Sequence, residues 1–277
     1  MPVDLHCHTT ASDGALSPSE LLQLAIANHI ELLAITDHDS LAGYHQAKAE
    51  LDQHELHLLS GIELSSQWAN MSVHVVGLNF DSTHPVMQQA VVEQGERRKQ
   101  RAMMIAERLA KKGFLGAYDA AVALAGTGQV GRPHFAQFLV DKGYVSSIQQ
   151  AFKRYLGAGK IGDVKAIWPT MAEVVEWIVA AGGVAVLAHP LHYNITATKR
   201  RALTADFKAA GGQAMEVVSG LQTPEKTAYL ADLADAFELY ASCGSDFHSH
   251  VGGWGDLGKM SPLPERCRPV WALWEGR

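Results

Sequence analysis

Histidines and carboxylates recur in this 277-residue sequence at spacings that suit metal coordination, and histidine alone fills 14 positions. His6-Cys7-His8 is an i, i+2 pair, so on an extended strand both imidazoles leave one face and Cys7 the other. Asp13 follows in the next loop. Thr36-Asp37-His38-Asp39 comes after a second apolar run, Glu63 closes a third, His74 lies in a fourth and His189 ends a later one. Asp246 and His248 form another i, i+2 pair. A single His-x-His is weak evidence, because a lone histidine at a strand end is commonly a hydrogen-bonded structural residue. Nine such residues at the ends of six strands are harder to explain that way. Gathered in one place, they would carry a heavy desolvation cost unless cations paired with them. Mixed His and carboxylate donors suit Mn²⁺, Zn²⁺ or Fe²⁺, and the absence of Cys donors argues against a structural zinc site.

The elements that must position these residues read as alternating strands and helices. Val3 to His8 is a predicted strand. Ser17-Pro18-Ser19-Glu20 carries the marks of a helix start, with Ser17 as N-cap, Pro18 in the first turn and Glu20 closing a capping box. A strand over Leu32–Thr36, a helix over Leu41–Asp52 and strands over Leu56–Leu64 and Val73–Phe80 follow. This rhythm predicts a parallel sheet or barrel, whose strand carboxyl ends converge on one face. The rhythm breaks near Gln88. A long helical pattern reaches Lys112, and short helices follow over Tyr118–Ala125, Pro133–Lys142 and Ser147–Tyr155. Alternation resumes with a helix over Thr170–Ala180 and the apolar strand Val184–Ala188. A helix over Thr198–Ala210, a strand over Ala214–Val218, a helix over Pro224–Phe237 and a strand near Ala241 complete the pattern. The expected organisation is a barrel in two parts, 1–94 and 166–277, around a helical insertion at 95–165.

Charge follows the same division. The net charge is −6, yet Gly95–Lys165 holds 13 Lys/Arg against 5 Asp/Glu, a balance of +8, which leaves −14 elsewhere. An acidic body can be neutralised by bound cations, and a basic segment suits an anionic ligand. With 47% hydrophobic and 19% charged residues the chain is ordinary for a globular protein. No apolar run has the length of a membrane span, and Met1-Pro2-Val3-Asp4 lacks a signal-peptide pattern, so a cytoplasmic location is expected. The three cysteines Cys7, Cys243 and Cys267 form neither a paired framework nor a zinc motif. Cys7 and Cys243 read as small buried residues. His29, His45, His54, His57 and His84 sit in polar contexts and read as surface or capping residues. His192 and His250 flank the ligand strands and are not assigned as ligands.

In order along the chain, Asp4-Leu5-His6-Cys7-His8-Thr9, Thr36-Asp37-His38, Gly61-Ile62-Glu63, His74, Ala188-His189-Pro190 and Gly244-Ser245-Asp246-Phe247-His248 resemble the motifs of the polymerase and histidinol phosphatase (PHP) family. The resemblance implies a distorted (β/α)7 barrel of the amidohydrolase superfamily and a site for three divalent cations, Mn²⁺ foremost. Carried over, His6, His8, Glu63 and Asp246 would hold one cation. Glu63 would bridge to a second, held with His74 and His189. Asp13, His38 and His248 would hold the third.

Within the insertion, Gly131-Arg132-Pro133-His134-Phe135-Ala136 and the stretch from Ala151-Phe152 to Gly159-Lys160 resemble the branch containing nucleoside 3′,5′-bisphosphate phosphatases and short-RNA 5′→3′ exonucleases. The similarity is greatest to the bisphosphate phosphatases. Ile161-Gly162-Asp163-Val164-Lys165 departs from that pattern, where an aromatic residue is common. Pro133 early in a helix would leave backbone N–H groups beside Arg132, and Arg132, Arg101 and Lys160 could grip phosphate oxygens. His134 could orient the phosphate or protonate the leaving oxygen. The expected reaction is removal of the 3′-phosphate from adenosine 3′,5′-bisphosphate by a metal-bridging hydroxide, with Asp13, His38, His134, Arg132 and His248 as catalytic residues. The alternatives are a 5′→3′ exonuclease acting on short RNA or DNA oligonucleotides, a histidinol-phosphate-type phosphatase, and a non-catalytic metal-binding regulatory module. The expected partner is a small nucleotide, with no membrane and no obligate protein partner.

Overall fold

The computed structural model describes residues 2–51, 56–164, 167–250 and 255–274. His54, Asp52 at the end of the second expected helix and Lys165 at the end of the basic segment lie outside the described residues. The chain runs β1 (Val3–Asp4), α1 (Pro18–Ala27), β2 (Leu32–Ala34), α2 (Ala42–Glu50), β3 (His57–Leu59), β4 (Gly61–Trp68) and β5 (Met71–Leu78). It continues through α3 (Pro85–Ala110), α4 (Ala117–Ala125), α5 (Arg132–Asp141), α6 (Ile148–Ala151) and a π-helical turn at Phe152–Leu156. The second half is α7 (Met171–Ala180), β6 (Val184–Leu187), α8 (Ala197–Ala209), β7 (Ala214–Ser219), α9 (Pro224–Ala236) and β8 (Tyr240–Gly244), closed by a short 3₁₀ turn at Val270–Leu273.

Strands β1-β2-β3 form one parallel sheet and β4 to β8 a second, and two seams close them into a barrel. At one seam Cys7 bridges Phe247 and the Leu5 N–H donates to the Cys243 carbonyl; at the other His38 bridges Glu63. Strands β3 and β4, parted only by Ser60, act as one bent stave, so the barrel has seven staves among the described residues. The distorted seven-stave α/β barrel expected from the family resemblance is what forms. Gly244 is needed at the first seam, because a Cβ there would lie 2.3 Å from the His6 Cβ.

Two expectations need correction. Regular pairing of β1 ends at Asp4, not at His8, because the chain beyond crosses to the β8 seam and pairs there through single bridges. The sheet is also not wholly parallel: β5 is antiparallel to both β4 and β6. The reason is local. Trp68 pairs with Met71 across a two-residue turn in which Ala69 and Asn70 take φ of 43° and 64°, the left-handed geometry that matches hairpin twist. Running backwards, β5 presents its beginning, with His74, where the other staves present their ends.

Side-chain alternation separates two apolar layers. Leu5, Leu59, Val76, Val186 and Ala214 fill the barrel interior, with Val270 and the flanking tryptophans below. Ile62, Leu64, Val75, Leu187 and Met215 face outward to pack under α7, α8 and α9. Helix α7 shows why these elements form: Thr170 and Glu173 make a full capping box, and Met171, Val174, Val175 and Ile178 bury one face at helical spacing.

The 26-residue α3 is continuous across residue 95. Met87, Ala90, Gln94 and Arg98 are buried toward the barrel end, while Ala102, Ile105 and Leu109 enter a separate helical core with Phe135, Phe138, Leu139 and Leu156. Among the described residues, no helix is long and apolar enough to cross a membrane.

Candidate metal centre

Because the staves converge, residues from six segments meet around the Glu63 carboxylate, which is 1% exposed. Its Oε1 lies 2.9 Å from His74 Nδ1, 2.9 Å from His189 Nε2 and 3.5 Å from His6 Nε2. Its Oε2 lies 2.8 Å from His38 Nδ1 and 3.4 Å from His8 Nε2. Asp246 Oδ1 sits 3.5 and 3.4 Å from His6 Nε2 and His8 Nε2. Asp13 closes the far side, with Oδ2 3.8 Å from His38 Nε2 and Oδ1 3.4 Å from His248 Nε2. All nine residues singled out in the sequence are brought together.

The donor atoms fall into overlapping groups able to hold cations: His8, Asp13, His38 and His248; His6, His8 and Asp246; His6, Glu63 and His189; His38, Glu63 and His74. The fit of divalent cations is tested by what the protein leaves unsatisfied. His6 Nε2, His8 Nε2, Asp13 Oδ1, His38 Nδ1, Glu63 Oε2 and His189 Nδ1 are buried without a hydrogen bond. Buried polar atoms are rarely left so, and all six belong to residues of these donor groups. A multi-metal site accounts for them.

Backbone geometry supports the same point. Among the described residues Asp39, His189 and Asp246 carry positive φ of 52°, 29° and 53°. Non-glycine residues there are strained, and such strain concentrates where a side chain must be aimed.

The charges are strongly coupled. Burial would raise the Glu63 carboxyl, yet His38, His74 and His6 hold it well below its ordinary range. Asp13 behaves alike, with His38 and His248 overriding burial. Burial and the neighbouring His248 push His8 down to about 3, whereas His248, opposed by burial but facing Asp13, rises to about 10.

Glu216 and Asp37 were not anticipated at the site, and His192 was expected beside the ligands but not as one of them. Glu216, 1% exposed on β7, accepts from His6 Nδ1 at 2.6 Å through Oε1 and from the His189 N–H at 2.6 Å through Oε2. A carboxylate behind a metal-facing histidine fixes its tautomer and orientation. The only trace in the sequence is one acid inside the apolar run Ala214-Met215-Glu216-Val217-Val218. Asp37 accepts from the Thr9 N–H, Thr9 Oγ1 and Ser12 Oγ, at 2.8, 2.7 and 2.6 Å, and so braces the loop carrying Asp13. His192 stacks on His189 at 4.9 Å with its Nδ1 3.9 Å from Asp246 Oδ2. Together His189, His192 and Asp246 make a further donor group.

The rim is basic. Arg98 Nε donates to Asp39 Oδ2 at 2.6 Å, and Arg98 and Arg101 both lie over the Trp168 ring. Arg101 Nε donates to the Val164 carbonyl and Arg132 Nη1 to the Leu156 carbonyl, at 3.0 and 3.2 Å. Burial, then Arg132 and Arg98, lower Arg101 to about 9. His134 stands at the third position of α5, and its Nδ1 accepts from the Gly131 N–H at 2.9 Å. That bond places the proton of the neutral ring on Nε2. Gly131 faces Asp13, since a Cβ on it would lie 3.6 Å from Asp13 Oδ2. Lys160 is exposed, away from the donor groups.

A barrel with this many His and carboxylate donors at one mouth, rimmed by arginines, defines a metal-dependent phosphoesterase. The PHP domain family model matches residues 4–160, and the chain belongs to that family, within the amidohydrolase superfamily. It is a metal-dependent phosphoric-ester hydrolase. It is 47% identical over 268 residues, 97% of each chain, to a 5′-3′ exoribonuclease of Haemophilus influenzae. It is 40% identical over 276 residues, 99% of this chain and 97% of the other, to a 3′,5′-nucleoside bisphosphate phosphatase of Chromobacterium violaceum. Among solved structures, an amidohydrolase from Chromobacterium violaceum with bound sulfate and no metal superposes with a TM-score of 0.92 at 39% identity, covering 99% of this chain and 96% of that one.

Proposed function

We propose that the protein is a 5′→3′ exoribonuclease that removes mononucleotides from short 5′-phosphorylated RNA. The observation that carries this reading is full-length identity of 47% to a protein named for that activity, against 40% to the bisphosphate phosphatase. The order expected from the sequence, phosphatase before exonuclease, is therefore reversed. The two reactions share their chemistry. In both, water adds to phosphorus and the bond from phosphorus to the 3′-oxygen of a 5′-phosphorylated nucleoside breaks. They differ in whether the phosphorus also carries another nucleotide, so adenosine 3′,5′-bisphosphate is the smallest version of the substrate.

Three divalent cations, with Mn²⁺ the first choice, fit the overlapping donor groups. Such ions lower the pKa of a water from 15.7 toward ~7 and neutralise phosphoryl charge. His6, His8, Glu63 and Asp246 would hold one cation, Glu63 with His74 and His189 a second, and Asp13, His38 and His248 a third. Arg132 and Arg101 present their remaining guanidinium N–H groups to the phosphates, and Lys160 adds charge farther out. His134, with its proton on Nε2, donates that proton to the departing 3′-oxygen. The three cysteines are unpaired, in keeping with action in the cytoplasm.

The test is product analysis with Mn²⁺ present. A labelled 5′-phosphorylated pentanucleotide is expected to yield mononucleotides stepwise from the 5′ end. An intact pentanucleotide beside efficient phosphate release from adenosine 3′,5′-bisphosphate would return the assignment to the phosphatase.

A further inference from the structure

Beyond the metal centre the segment 156–164 runs beside a row of arginines and offers each a carbonyl. Arg132 takes that of Leu156, Arg101 that of Val164, and Arg108 Nη1 those of Ile161 and Asp163 at 3.1 and 3.4 Å. Outside this row lies an open groove of about 620 Å³, with Gln100, Met104 and Arg108 of α3 on one wall and Lys160, Asp163 and Ile167 on the other. That volume is within the ~300–1,000 Å³ typical of ligand pockets. Of its lining, the reading of the metal centre uses Lys160 alone.

The groove adjoins the site. Asp163 lines it, and the same carboxylate lies within electrostatic reach of Arg101 and Arg132, while Arg132 in turn feels Asp13. Along α3, Arg98 holds the Asp39 end and Arg108 the groove end, ~15 Å apart at helical rise. That is room for more than one nucleotide. The walls are also of the right kind: single-stranded nucleic acid is held by cations along its backbone and by apolar faces against its bases. Arg108 and Lys160 supply the first, and Ile167 supplies an apolar face. The one acid among these lining residues is fixed in place, since Asp163 Oδ2 accepts from the Gly159 N–H at 2.7 Å.

We propose that this groove, between α3 and the wall formed by Gly159, Lys160, Asp163, Val164 and Ile167, carries the nucleotides on the 3′ side of the scissile bond of a single-stranded RNA. The inference rests on the exonuclease reading above, and it makes chain length, not the terminal phosphate, the quantity that the groove senses.

The test alters charge at two solvent-exposed positions of the groove wall. Wild type, Gln100→Glu with Met104→Glu, and Gln100→Lys with Met104→Lys are compared on adenosine 3′,5′-bisphosphate, a 5′-phosphorylated dinucleotide and a 5′-phosphorylated pentanucleotide. Screened charges acting on a polyanion lead us to expect a KM for the pentanucleotide raised about tenfold by the Glu pair and lowered about threefold by the Lys pair. The two short substrates should stay within about twofold of wild type, because their charges end inside the arginine row. Equal effects on all three substrates, or none on the pentanucleotide, would overturn the groove as a strand path. A wild type inert on both oligonucleotides would instead overturn the exonuclease reading.

Discussion

Arg98 and Asp39, 59 residues apart, form a buried ion pair in which Nε donates to Oδ2 at 2.6 Å. Asp39 Oδ1 also accepts from the Ser65 N–H and Gln94 Nε2, at 2.7 and 2.8 Å. The pair therefore ties the helix that leads into the basic helical core to the loop that carries His38. Burial would raise Asp39, and Arg98 brings it below its ordinary value.

Breaking that pair from one side should be expensive. Arg98→Ala leaves a buried carboxylate without its counter-charge, and we expect a loss of about 3–5 kcal/mol in stability. Urea unfolding of Arg98→Ala, Asp39→Asn and the double variant measures it. A double variant no more stable than the sum of the singles would show that the two residues do not act together.

Glu216→Gln should leave the fold standing but loosen the metal centre. Losing the charge behind His6 is expected to reduce metal affinity about 10–100-fold, with activity restored by raising Mn²⁺. Metal content after gel filtration reads the first effect and a Mn²⁺ titration of activity the second. Unchanged content would remove Glu216 from any role in the site.

Removing the cations should abolish hydrolysis and lower the melting temperature. Restoring an ion to 100 times its Kd stabilises the folded state by about 2.7 kcal/mol per site. A chelator-treated sample followed by calorimetry, with and without Mn²⁺, gives the shift. Full activity in chelator would rule out the mechanism.

Metal uptake should release protons. Without metal, His248 is held at about 10, so near neutral pH it is charged and must lose its proton to bind a cation. His8, at about 3, is already neutral and releases nothing. Affinity should therefore rise as pH is raised from about 7 toward 10, and His248→Asn should flatten that rise. Titration calorimetry in buffers of different ionisation enthalpy counts the protons; a count that is the same in His248→Asn would count against this assignment.

His134 is expected to act on the leaving oxygen. His134→Ala should lower kcat by about 10²–10⁴ on RNA, and far less on an aryl phosphate whose nitrophenolate needs no proton. Equal losses on both substrates would point to a role in binding instead.

What was legible in the sequence was whatever is encoded locally. His6 and His8 announce themselves by their two-residue spacing, and the Ser17 and Thr170 caps by helix chemistry. The shared Glu63 carboxylate followed from the family motif. Partners that meet only after folding left no such mark: Arg98 and Asp39 stand in unrelated segments, and Glu216 is one letter in a strand that otherwise reads as pure core. The direction of β5 lay between. Asn70 in a two-residue turn could have revealed the hairpin, but the strand–helix rhythm on either side outweighed it. The separation of exonuclease from phosphatase was not legible, because both break the same bond.

The turn at Ala69–Asn70 leaves the β4–β5 hairpin no slack, and this bears on how the gene can change. Glu63, Ser65, His74 and Val76 share the inner face by the observed pairing of Ser65 with His74 and of Glu63 with Val76. Adding or deleting one codon between Trp68 and His74 without undoing that pairing would swing the imidazole to the outside and offer valine to the cations. A two-codon change would keep the parity. Along this short stretch of the gene, chemistry is inherited in steps of two.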